Sequence, residues 1–343
     1  MTNILERDNV FIIAELSANH MNNFDIAVKT IEAMAESGAD AVKFQTYTPD
    51  TITIDCDNEY FQIKQGTIWD GQVLYNLYEE AYMPWEWQPK LKKIAEDLGL
   101  IAFSSPFDMT SVDFLEEMDV EAYKIASYEI TDIPLIEYVA SKGKPIIIST
   151  GIASKEDIDL AIKTCRKTGN NQIAILKCTS SYPAPMDEIN LNTIPALKDE
   201  FDVCVGLSDH TMGAEVAIAG VALGAKIIEK HFILDRNMDG PDSEFSMEPQ
   251  EFKAMVDSIR NIEKALGNSD FEVTEKMLIN QDFSRSLFAV KDIKKGEAIT
   301  LDNVKSIRPG FGAHPKYLSE ILGKEVNCDI KRGTPFKLEF VSK

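Results

Sequence analysis

Eight short apolar runs rich in valine and isoleucine alternate with longer segments of helical periodicity, up to about residue 265, and this alternation constrains the fold most. Continuously apolar strands that are separated by helices are typical of a parallel sheet whose outer face is covered. Eight such units over about 250 residues predict a TIM (β/α)8 barrel. The predicted strands are VFIIAE (10–15), AVKFQ (41–45), LIAFSS (100–105), AYKIAS (122–127), PIIIST (145–150), QIAILK (172–177), VCVGLS (203–208) and KIIEKH (226–231).

Two of the intervening segments show clear helix boundaries. FDIAVKTIEAMAESG carries apolar residues at helical spacing and closes with Gly38, and SKEDIDLAIKTCRKTG opens with Ser154 as its N-cap and closes with Gly169. A doubly wound open sheet is the competing architecture. However, the first strand is followed by ELSANHMNN, which lacks the GxGxxG phosphate turn of a dinucleotide fold.

Two regions depart from the repeating pattern. The connection from Thr46 to about Pro84, with its aromatic-rich YFQIKQGTIWD, is longer than an ordinary βα loop and fits either a lid over the barrel mouth or an insertion that packs on the rim. Near the C-terminus, DIKKGEAITLDNV (292–304) and DIKRGTPFKLEFV (329–341) form a small internal repeat, which predicts a compact, mainly β module with pseudo-symmetry. We therefore expect a barrel domain at 1–267, a linker at 268–284 and a small domain at 285–343.

Charge and composition exclude several classes of protein. The formal net charge of −21 is spread along the chain, which argues against nucleic-acid or anionic-membrane partners and requires a local basic pocket for any anionic substrate. No apolar run is long enough to span a membrane and no signal-peptide core begins the chain, so we expect a soluble, cytoplasmic protein. The five cysteines show no CxxC pairing, which predicts reduced thiols, with Cys178 and Cys204 serving in packing.

Because the active site of a TIM barrel lies at the C-terminal ends of its strands, the predicted strands nominate site residues before any chemistry is assumed. Polar strand ends are ordinary where a chain leaves a core, but lysines are among the residues least often buried. Lys43 and Lys124 lie among apolar neighbours and need an adjacent anion to offset desolvation, whereas Lys177 also fits a satisfied rim residue. We expect a phosphate or carboxylate site beside Lys43 and Lys124.

Two of the four histidines, His210 and His231, end adjacent predicted strands. Neutral imidazole is the commonest nitrogen ligand of metals, and two histidines with oxygen donors suit Mn²⁺, Mg²⁺ or a similar divalent ion with open positions for water and substrate. A strand-end histidine is otherwise simply hydrogen-bonded. The equivalent placement of this pair favours a metal site.

The ordered motifs of the barrel region resemble the sialic acid synthase family, and the C-terminal region with IRPGFG resembles its antifreeze-like (SAF) domain. The resemblance covers nearly the whole chain. Within the family, SANH, KCTSSYP and the insertion GTIWDG to LYNLYEEAYMPWEW most resemble the pseudaminic acid synthases. The motifs are AELSANH, AVKFQTY, FSSPFD, AYKIAS, STGIAS, KCTSSYP, GLSDHT and IEKHF.

This resemblance implies a metal-dependent condensation of phosphoenolpyruvate with the open-chain aldehyde of an N-acetylated amino sugar, giving a nine-carbon 2-keto acid and phosphate by C–O cleavage. His210 and His231 match the metal ligands for Mn²⁺, Mg²⁺ or Co²⁺, and Glu15 is the candidate for proton transfer. Glu15, Glu129 and Asp242 match residues that bind sugar hydroxyls. The positions that match the phosphoenolpyruvate site are Lys43, Gln45, Ser105, Lys124, Ser127, Ser149, Ser180 and Ser208, with Tyr182 closing the pocket.

The SAF module implies a partner chain. Arg308 in SIRPGFG matches an arginine that reaches the N-acyl group of the sugar and that, in the family, comes from the other chain of a domain-swapped homodimer. The linker at 268–284 is long and polar enough to reach across such a dimer. Without the resemblance, Arg308 is an ordinary surface arginine beside a Pro-Gly turn.

Some positions depart from the family pattern, which often has asparagine at Ser180, threonine at Ser105 and a glycine in the motif occupied by Leu16 and Ser17. The first two differences keep hydrogen bonding while altering reach, and they fit a different sugar. The alternative functions are N-acetylneuraminate or legionaminate synthase and, from another class, a catalytically silent carbohydrate-binding protein. The silent alternative requires the loss of a metal, phosphate or acid–base group, yet all of these are present.

Overall fold

The computed structural model describes residues 4–64, 69–238 and 240–342. The chain divides into two compact units, Met1–Gly267 and Asn268–Lys343. The first three residues of the insertion motif GTIWDG, 66–68, lie outside the described residues.

The first unit is a closed barrel of eight parallel strands in sequential order, which confirms the predicted TIM-barrel architecture. The first strand pairs with both the second and the eighth, which closes the barrel: Glu15 is in register with Lys43 on one side and with His231 on the other. All eight predicted strands are present. They are β1 Phe11–Glu15, β2 Ala41–Thr46, β3 Ile101–Pro106, β4 Tyr123–Ile125, β5 Ile146–Ser149, β6 Ile173–Cys178, β7 Cys204–Asp209 and β8 Ile227–His231.

Helices cover the outside of the barrel and bury their apolar faces against the strands. The helices of this unit are α1 Phe24–Glu36, α2 Pro49–Ile52, α3 Leu74–Ala81, α4 Gln88–Asp97, α5 Met109–Glu117, α6 Ile133–Ser141, α7 Lys155–Lys167, α8 Thr193–Phe201, α9 Glu215–Ala222 and α10 Pro249–Leu266. Short 3₁₀ turns lie at Ile4–Glu6, Glu59–Phe61, Trp85–Trp87, Tyr128–Thr131 and Met186–Glu188.

Local sequence explains where the helices α1 and α7 begin and end. Asn23 caps α1 by accepting hydrogen bonds from the backbone N–H groups of Asp25 and Ile26, and Ser154 caps α7 by accepting from Asp157 N. Gly38 follows α1 with a φ of +86°, a left-handed conformation that glycine adopts without steric cost. The predicted boundaries of both helices are thus confirmed to within two residues.

The insertion between β2 and α4 contains the helices α2 and α3 and a bridge between Gln62 and Val73. Trp69 attaches it to a barrel loop, since Trp69 Nε1 donates to Pro241 O at 3.2 Å, and Trp85 Nε1 ties the two ends of the insertion together by donating to Tyr47 O at 3.0 Å. The insertion therefore packs against the rim at the C-terminal ends of the strands.

The second unit is a small module with its own core and an antiparallel pair, β9 Ser286–Ala289 and β10 Val304–Ile307. The two copies of the repeat meet symmetrically, since Ile293 N donates to Ile330 O and Ile330 N donates to Ile293 O, both at 2.8 Å. This confirms the predicted pseudo-symmetric, mainly β module. Its helical segments are α11 Glu275–Gln281, α12 Leu318–Ile321 and the 3₁₀ turns Pro315–Tyr317 and Leu338–Phe340.

Among the residues described, none of the helices combines the length and the apolar character needed to cross a membrane.

Candidate active site

A cavity of about 570 Å³ lies at the C-terminal ends of the barrel strands, where the fold predicts the active site. Most of the predicted barrel residues line it. Glu15 and Ser105 are buried beside the lining residue Lys43, and Ser180 lies next to the lining residues through Cys178. The predicted residues in the lining are Lys43, Gln45, Lys124, Ser127, Glu129, Ser149, Tyr182, Ser208, His210, His231 and Asp242.

The floor of the cavity is a buried cluster of two lysines and two glutamates. Lys43 Nζ lies 2.9 Å from Glu15 Oε2 and 3.5 Å from Glu229 Oε1, and Lys124 Nζ lies 3.6 Å from Glu229 Oε1. Ser208 Oγ donates to Glu229 Oε1 at 3.0 Å. Both lysines are therefore buried beside carboxylates, and both also line the open cavity.

Burial and charge shift the pKa values in this cluster in different directions. Burial raises the pKa of Glu15 to about 7, although Lys43 opposes the rise. Burial acts against ionisation of Glu229 as well, but Lys124 and Lys43 outweigh it and lower the pKa of Glu229. Burial lowers the pKa of Lys124, and a second anion beside this lysine would raise that pKa again. Two lysines thus share one firmly ionised carboxylate, which leaves them able to bind a further anion.

Glu229 is the residue of this cluster to which the sequence analysis gave no role. Its signal was the period of the strand: Glu229 and His231 are two residues apart in β8, so their side chains lie on the same face. Alternation counted from His231 would therefore have placed Glu229 in the site.

Several buried polar atoms around the cavity have no hydrogen-bond partner within the described part of the chain. They include Ser149 Oγ, Glu129 Oε2, Glu229 Oε2 and His231 Nδ1. Buried polar atoms in folded proteins are nearly always paired, and an unpaired one costs about 1–3 kcal/mol. Their concentration here identifies the cavity as a site built for a polar ligand.

The rings of His210 and His231 lie 5.3 Å apart between centroids, on the neighbouring strands β7 and β8. His210 Nδ1 donates to Thr179 O at 3.1 Å; burial acts against the charged ring, but Cys178 and this carbonyl outweigh it and raise the pKa of His210. Burial lowers the pKa of His231 well below its ordinary value, so its imidazole is neutral. Tyr182 packs against His210 with ring centroids 4.4 Å apart.

Ser17 is a second residue without a predicted role. Its Oγ makes a short contact with Asp242 Oδ2 and accepts a hydrogen bond from Gln45 Nε2 at 3.1 Å, while the same Gln45 Nε2 donates to Glu15 Oε1 at 3.0 Å. The φ of Ser17 is +48°, in the left-handed region that favours glycine. In this conformation the Ser17 hydroxyl links Asp242 to Gln45, which in turn donates to Glu15.

Cys178 is buried, as its apolar neighbours predict, but it also contacts the site. Its Sγ accepts from Ser127 Oγ at 3.3 Å and lies 3.9 Å from His210 Nδ1. Cys204 is half-buried in β7. All five cysteines are free thiols. Arg308 belongs to the second unit, where its side chain is exposed.

Comparisons with known proteins cover nearly the whole chain. The NeuB family matches residues 30–271 and the SAF domain matches residues 284–341. The pseudaminic acid synthase of Campylobacter jejuni subsp. jejuni is 48% identical over 328 residues, covering 96% of this chain and 95% of that protein. The pseudaminic acid synthase of Helicobacter pylori is 44% identical over 333 residues, covering 97% of this chain and 98% of that protein.

A solved structure is also similar to this chain along most of its length. The N-acetylneuraminic acid (sialic acid) synthetase from Leptospira borgpetersenii, determined in complex with citrate, is 33% identical and superposes with a TM-score of 0.71 over 79% of this chain and 90% of that one. The resemblance predicted from the motifs is confirmed. The chain belongs to the NeuB family and carries an SAF domain after its barrel.

Proposed function

We propose that this protein is a pseudaminic acid synthase, which condenses phosphoenolpyruvate with 2,4-diacetamido-2,4,6-trideoxyaltrose and water to give pseudaminic acid and phosphate. In this reaction C3 of phosphoenolpyruvate bonds to the aldehyde carbon, the oxygen of water bonds to C2, and the bond between C2 and the phosphate oxygen breaks. Two relatives at 48% and 44% identity carry that name, and the motifs SANH and KCTSSYP favour the same branch.

The observation that carries the proposal is the pair of buried lysines in the cavity floor. Lys43 and Lys124 face the cavity with only Glu229 firmly ionised between them, in a chain whose net charge is −21. A phosphate or carboxylate group there completes the charge balance of the two lysines. Phosphoenolpyruvate supplies both groups. The acidic remainder of the chain repels this anion, so it can bind only where a basic site such as this one attracts it.

The remaining groups of the site have roles that fit this chemistry. Ser127, Ser149 and Ser208 line the cavity. The Ser149 hydroxyl has no partner among the described residues and can donate to the anion, whereas those of Ser127 and Ser208 already donate to Cys178 Sγ and Glu229 Oε1. Glu15, with a pKa raised to about 7, can hold or release a proton near neutral pH, the property expected of a general acid or base. Asp242 lines the cavity and provides a carboxylate for sugar hydroxyls.

A divalent metal ion fits the two histidines. His231 Nδ1 is buried without a hydrogen-bond partner among the described residues, and His210, whose Nδ1 is bound to Thr179 O, can offer Nε2 once that nitrogen gives up its proton, as metal binding requires. No set of three or more His, Cys, Asp or Glu side chains within the described residues forms a metal centre, so water and substrate oxygens would complete the coordination of Mn²⁺, Mg²⁺ or Co²⁺. Such an ion, when bound, polarises the sugar aldehyde as a Lewis acid.

The metal proposal is tested by binding rather than activity alone. Titration of chelator-treated protein with Mn²⁺ in a calorimeter should show one site in the wild type and none in His231→Ala. The variant His314→Ala is the matched control, because His314 is an exposed histidine of the second unit. Full turnover by chelator-treated wild-type protein contradicts the metal requirement.

The function is tested by phosphate release. A coupled assay with phosphoenolpyruvate and each of three sugars should show the highest kcat/KM with 2,4-diacetamido-2,4,6-trideoxyaltrose, less with the corresponding sugar of the legionaminate reaction and least with N-acetylmannosamine. A clear preference for N-acetylmannosamine moves the protein to the neuraminate branch. Sugar binding without phosphate release from any sugar identifies a silent carbohydrate-binding protein.

We also propose that the protein acts as a domain-swapped homodimer in which Arg308 serves the partner's site. The segment 268–284 was predicted to be polar, but several of its apolar side chains are exposed, for example Ile279 at 68% and Phe283 at 67%. Apolar groups that stay in contact with water favour burial by a second chain. Light scattering should give twice the chain mass of 38.3 kDa, and a monomer at working concentration contradicts the dimer.

A further inference from the structure

The cavity has two chemically different sides. The strand ends supply its charged and hydroxyl-bearing groups, as described above. The opposite side comes from the insertion between β2 and α4, and it contributes the aliphatic side chains of Ile52, Ile63, Leu74 and Leu77, which we call the apolar wall. The insertion also brings Tyr47, Trp69 and Tyr78 into this lining, but no carboxylate, carboxamide or ammonium group within the part of the chain that is described.

The apolar wall belongs to a well-ordered part of the insertion. Ile63 and Leu77 are each only 7% exposed. Ile63 is held from both sides, since its N–H donates to Gln72 O and its carbonyl accepts from Gly71 N, both at 2.9 Å. Leu74 and Leu77 lie three residues apart in α3 and therefore share one face of that helix. The wall is thus a built surface rather than a chance exposure of single side chains.

The wall discriminates between the possible ends of a sugar chain. A hydroxyl group pressed against Ile63 and Leu77 loses its water and finds no hydrogen-bond partner there, whereas a methyl group gains by burial. One methyl group in an apolar pocket changes kcat/KM by roughly 10- to 200-fold, and an apolar pocket rejects an added hydroxyl by about 100-fold. A wall of this kind therefore favours binding of a deoxygenated, acylated sugar over a fully hydroxylated one.

We propose that the apolar wall determines sugar specificity by contacting the methyl groups of the substrate remote from its aldehyde: the methyl of the 6-deoxy carbon and that of the 4-acetamido group. The inference rests on the proposed function, because it assigns a place in the cavity to two of the features that distinguish that sugar from N-acetylmannosamine. The alternative is that these four residues only pack the insertion onto the barrel.

The test compares two sugars in four proteins. Leu77→Asn introduces polar atoms on a side chain of the same branching, and Ile63→Thr introduces a hydroxyl with the loss of one methyl group. Ile54→Thr makes the same exchange and is the matched control, because Ile54 lies in the same insertion, is 58% exposed and does not line the cavity. The measured quantity is the ratio of kcat/KM for 2,4-diacetamido-2,4,6-trideoxyaltrose to that for N-acetylmannosamine. We expect the ratio to fall about tenfold or more in Leu77→Asn, severalfold in Ile63→Thr and not at all in Ile54→Thr, with the KM for phosphoenolpyruvate unchanged.

The outcomes separate this inference from the function on which it rests. If the wild type prefers the trideoxy sugar and the ratio stays constant in both wall variants while activity falls equally with both sugars, the wall only packs and the inference is wrong. If the wild type prefers N-acetylmannosamine, the proposed function fails first and the inference with it. Circular dichroism identifies a variant that does not fold. In that case Leu74→Asn, at a half-buried position, decides by the same ratio.

Discussion

Glu229 and Lys230 are consecutive residues of β8, yet they belong to two very different charge networks. Glu229 lines the cavity at 3.5 and 3.6 Å from two lysines, and its Oε2 has no hydrogen-bond partner in the described residues. Lys230, on the opposite face of the strand, donates to Asp209 Oδ2 at 2.7 Å and to Thr211 O at 2.6 Å. Asp209 Oδ1 in turn accepts from Thr211 N and Thr211 Oγ1, at 2.9 and 2.7 Å.

The difference between these networks separates structure from chemistry. The outer network satisfies its groups within the protein, and it closes the turn that carries His210 between Asp209 and Thr211. The inner network leaves polar atoms unpaired among the described residues and holds Glu229 at 3.5 and 3.6 Å from its two lysines, as expected where a ligand must complete the bonding. Outer residues should therefore act on stability, and inner residues on substrate use.

The largest effect expected from this comparison is loss of stability in Lys230→Met. Removing one partner of a buried ion pair leaves the other charge uncompensated, which costs about 3–5 kcal/mol of unfolding free energy. Urea denaturation measures this loss. The double variant Lys230→Met with Asp209→Asn should recover part of it, because the uncompensated carboxylate is removed while Oδ1 can still accept from Thr211. Wild-type stability in Lys230→Met contradicts the structural role of the outer network.

The inner network should show the opposite behaviour in Lys124→Met. Loss of a charged hydrogen bond worth about 1.5–3 kcal/mol lowers kcat/KM for phosphoenolpyruvate by roughly tenfold to a hundredfold. We expect the same direction for Lys43→Ala. Steady-state kinetics at saturating sugar measures the effect, with urea denaturation beside it. If Lys124→Met unfolds as easily as Lys230→Met while keeping wild-type kinetics, the two networks do not differ in the way described.

The sequence predicted the barrel and most of the cavity lining, because both follow from local pattern. Apolar runs between helices specify parallel strands, and the topology then collects their C-terminal ends in one place. Composition alone does not separate Glu229 from Lys230, since strands buried on both faces lose their polar alternation. Only the period of two counted from His231 assigns Glu229 to the inner face and Lys230 to the outer face.

Other features depend on contacts that no local pattern records. Ser17 acquires its role from a left-handed backbone conformation and from Asp242, which lies 225 residues further along the chain. The apolar wall comes from an insertion without repeating periodicity, so Ile63 and Leu77 join the cavity only through tertiary packing. The sequence left open whether this insertion covers the barrel mouth or packs on its rim.

An intermediate effect concerns Glu129, an inner carboxyl without a charged partner at hydrogen-bonding distance in the described residues. Burial raises its pKa from 4.5 to about 7. Between these pH values the folded state binds more protons than the unfolded state, so the unfolding free energy falls as pH rises, by up to about 1.4 kcal/mol per pH unit for one carboxyl. Glu15, whose pKa is raised in the same way, contributes with the same sign.

The pH dependence is tested by urea denaturation between pH 5 and 7 in wild type, Glu129→Gln and Glu80→Gln. Glu129→Gln should make the decline of stability with pH shallower, since one of the buried carboxyls no longer ionises. Glu80→Gln, at an exposed position of the insertion, should leave the decline unchanged. Identical slopes in wild type and Glu129→Gln show that this carboxyl is not held protonated by burial.

The smallest effect expected extends the comparison to the second unit. There Lys294 pairs with Asp329 at 2.8 Å and Lys331 pairs with Asp292 at 3.1 Å, so the charged turns of the repeat are complete, whereas Arg308 is exposed and has no ion pair among the described residues. If Arg308 serves the sugar in a partner chain, Arg308→Ala should raise the KM for the sugar severalfold and leave that for phosphoenolpyruvate nearly unchanged. Arg332→Ala, another exposed arginine of this unit, is the control and should change neither value.

Mixing two inactive or weakened chains tests where Arg308 acts. In a swapped dimer of one Arg308→Ala chain and one His210→Ala chain, one of the two sites receives wild-type His210 from its own barrel and wild-type Arg308 from the other chain, so activity should return to that site. If Arg308 acts within its own chain, each mixed site keeps one defect of its parent and activity stays at the average of the two variants. Subunit exchange is verified by mass spectrometry of a labelled chain, and exchange without any gain in activity contradicts the swapped arrangement.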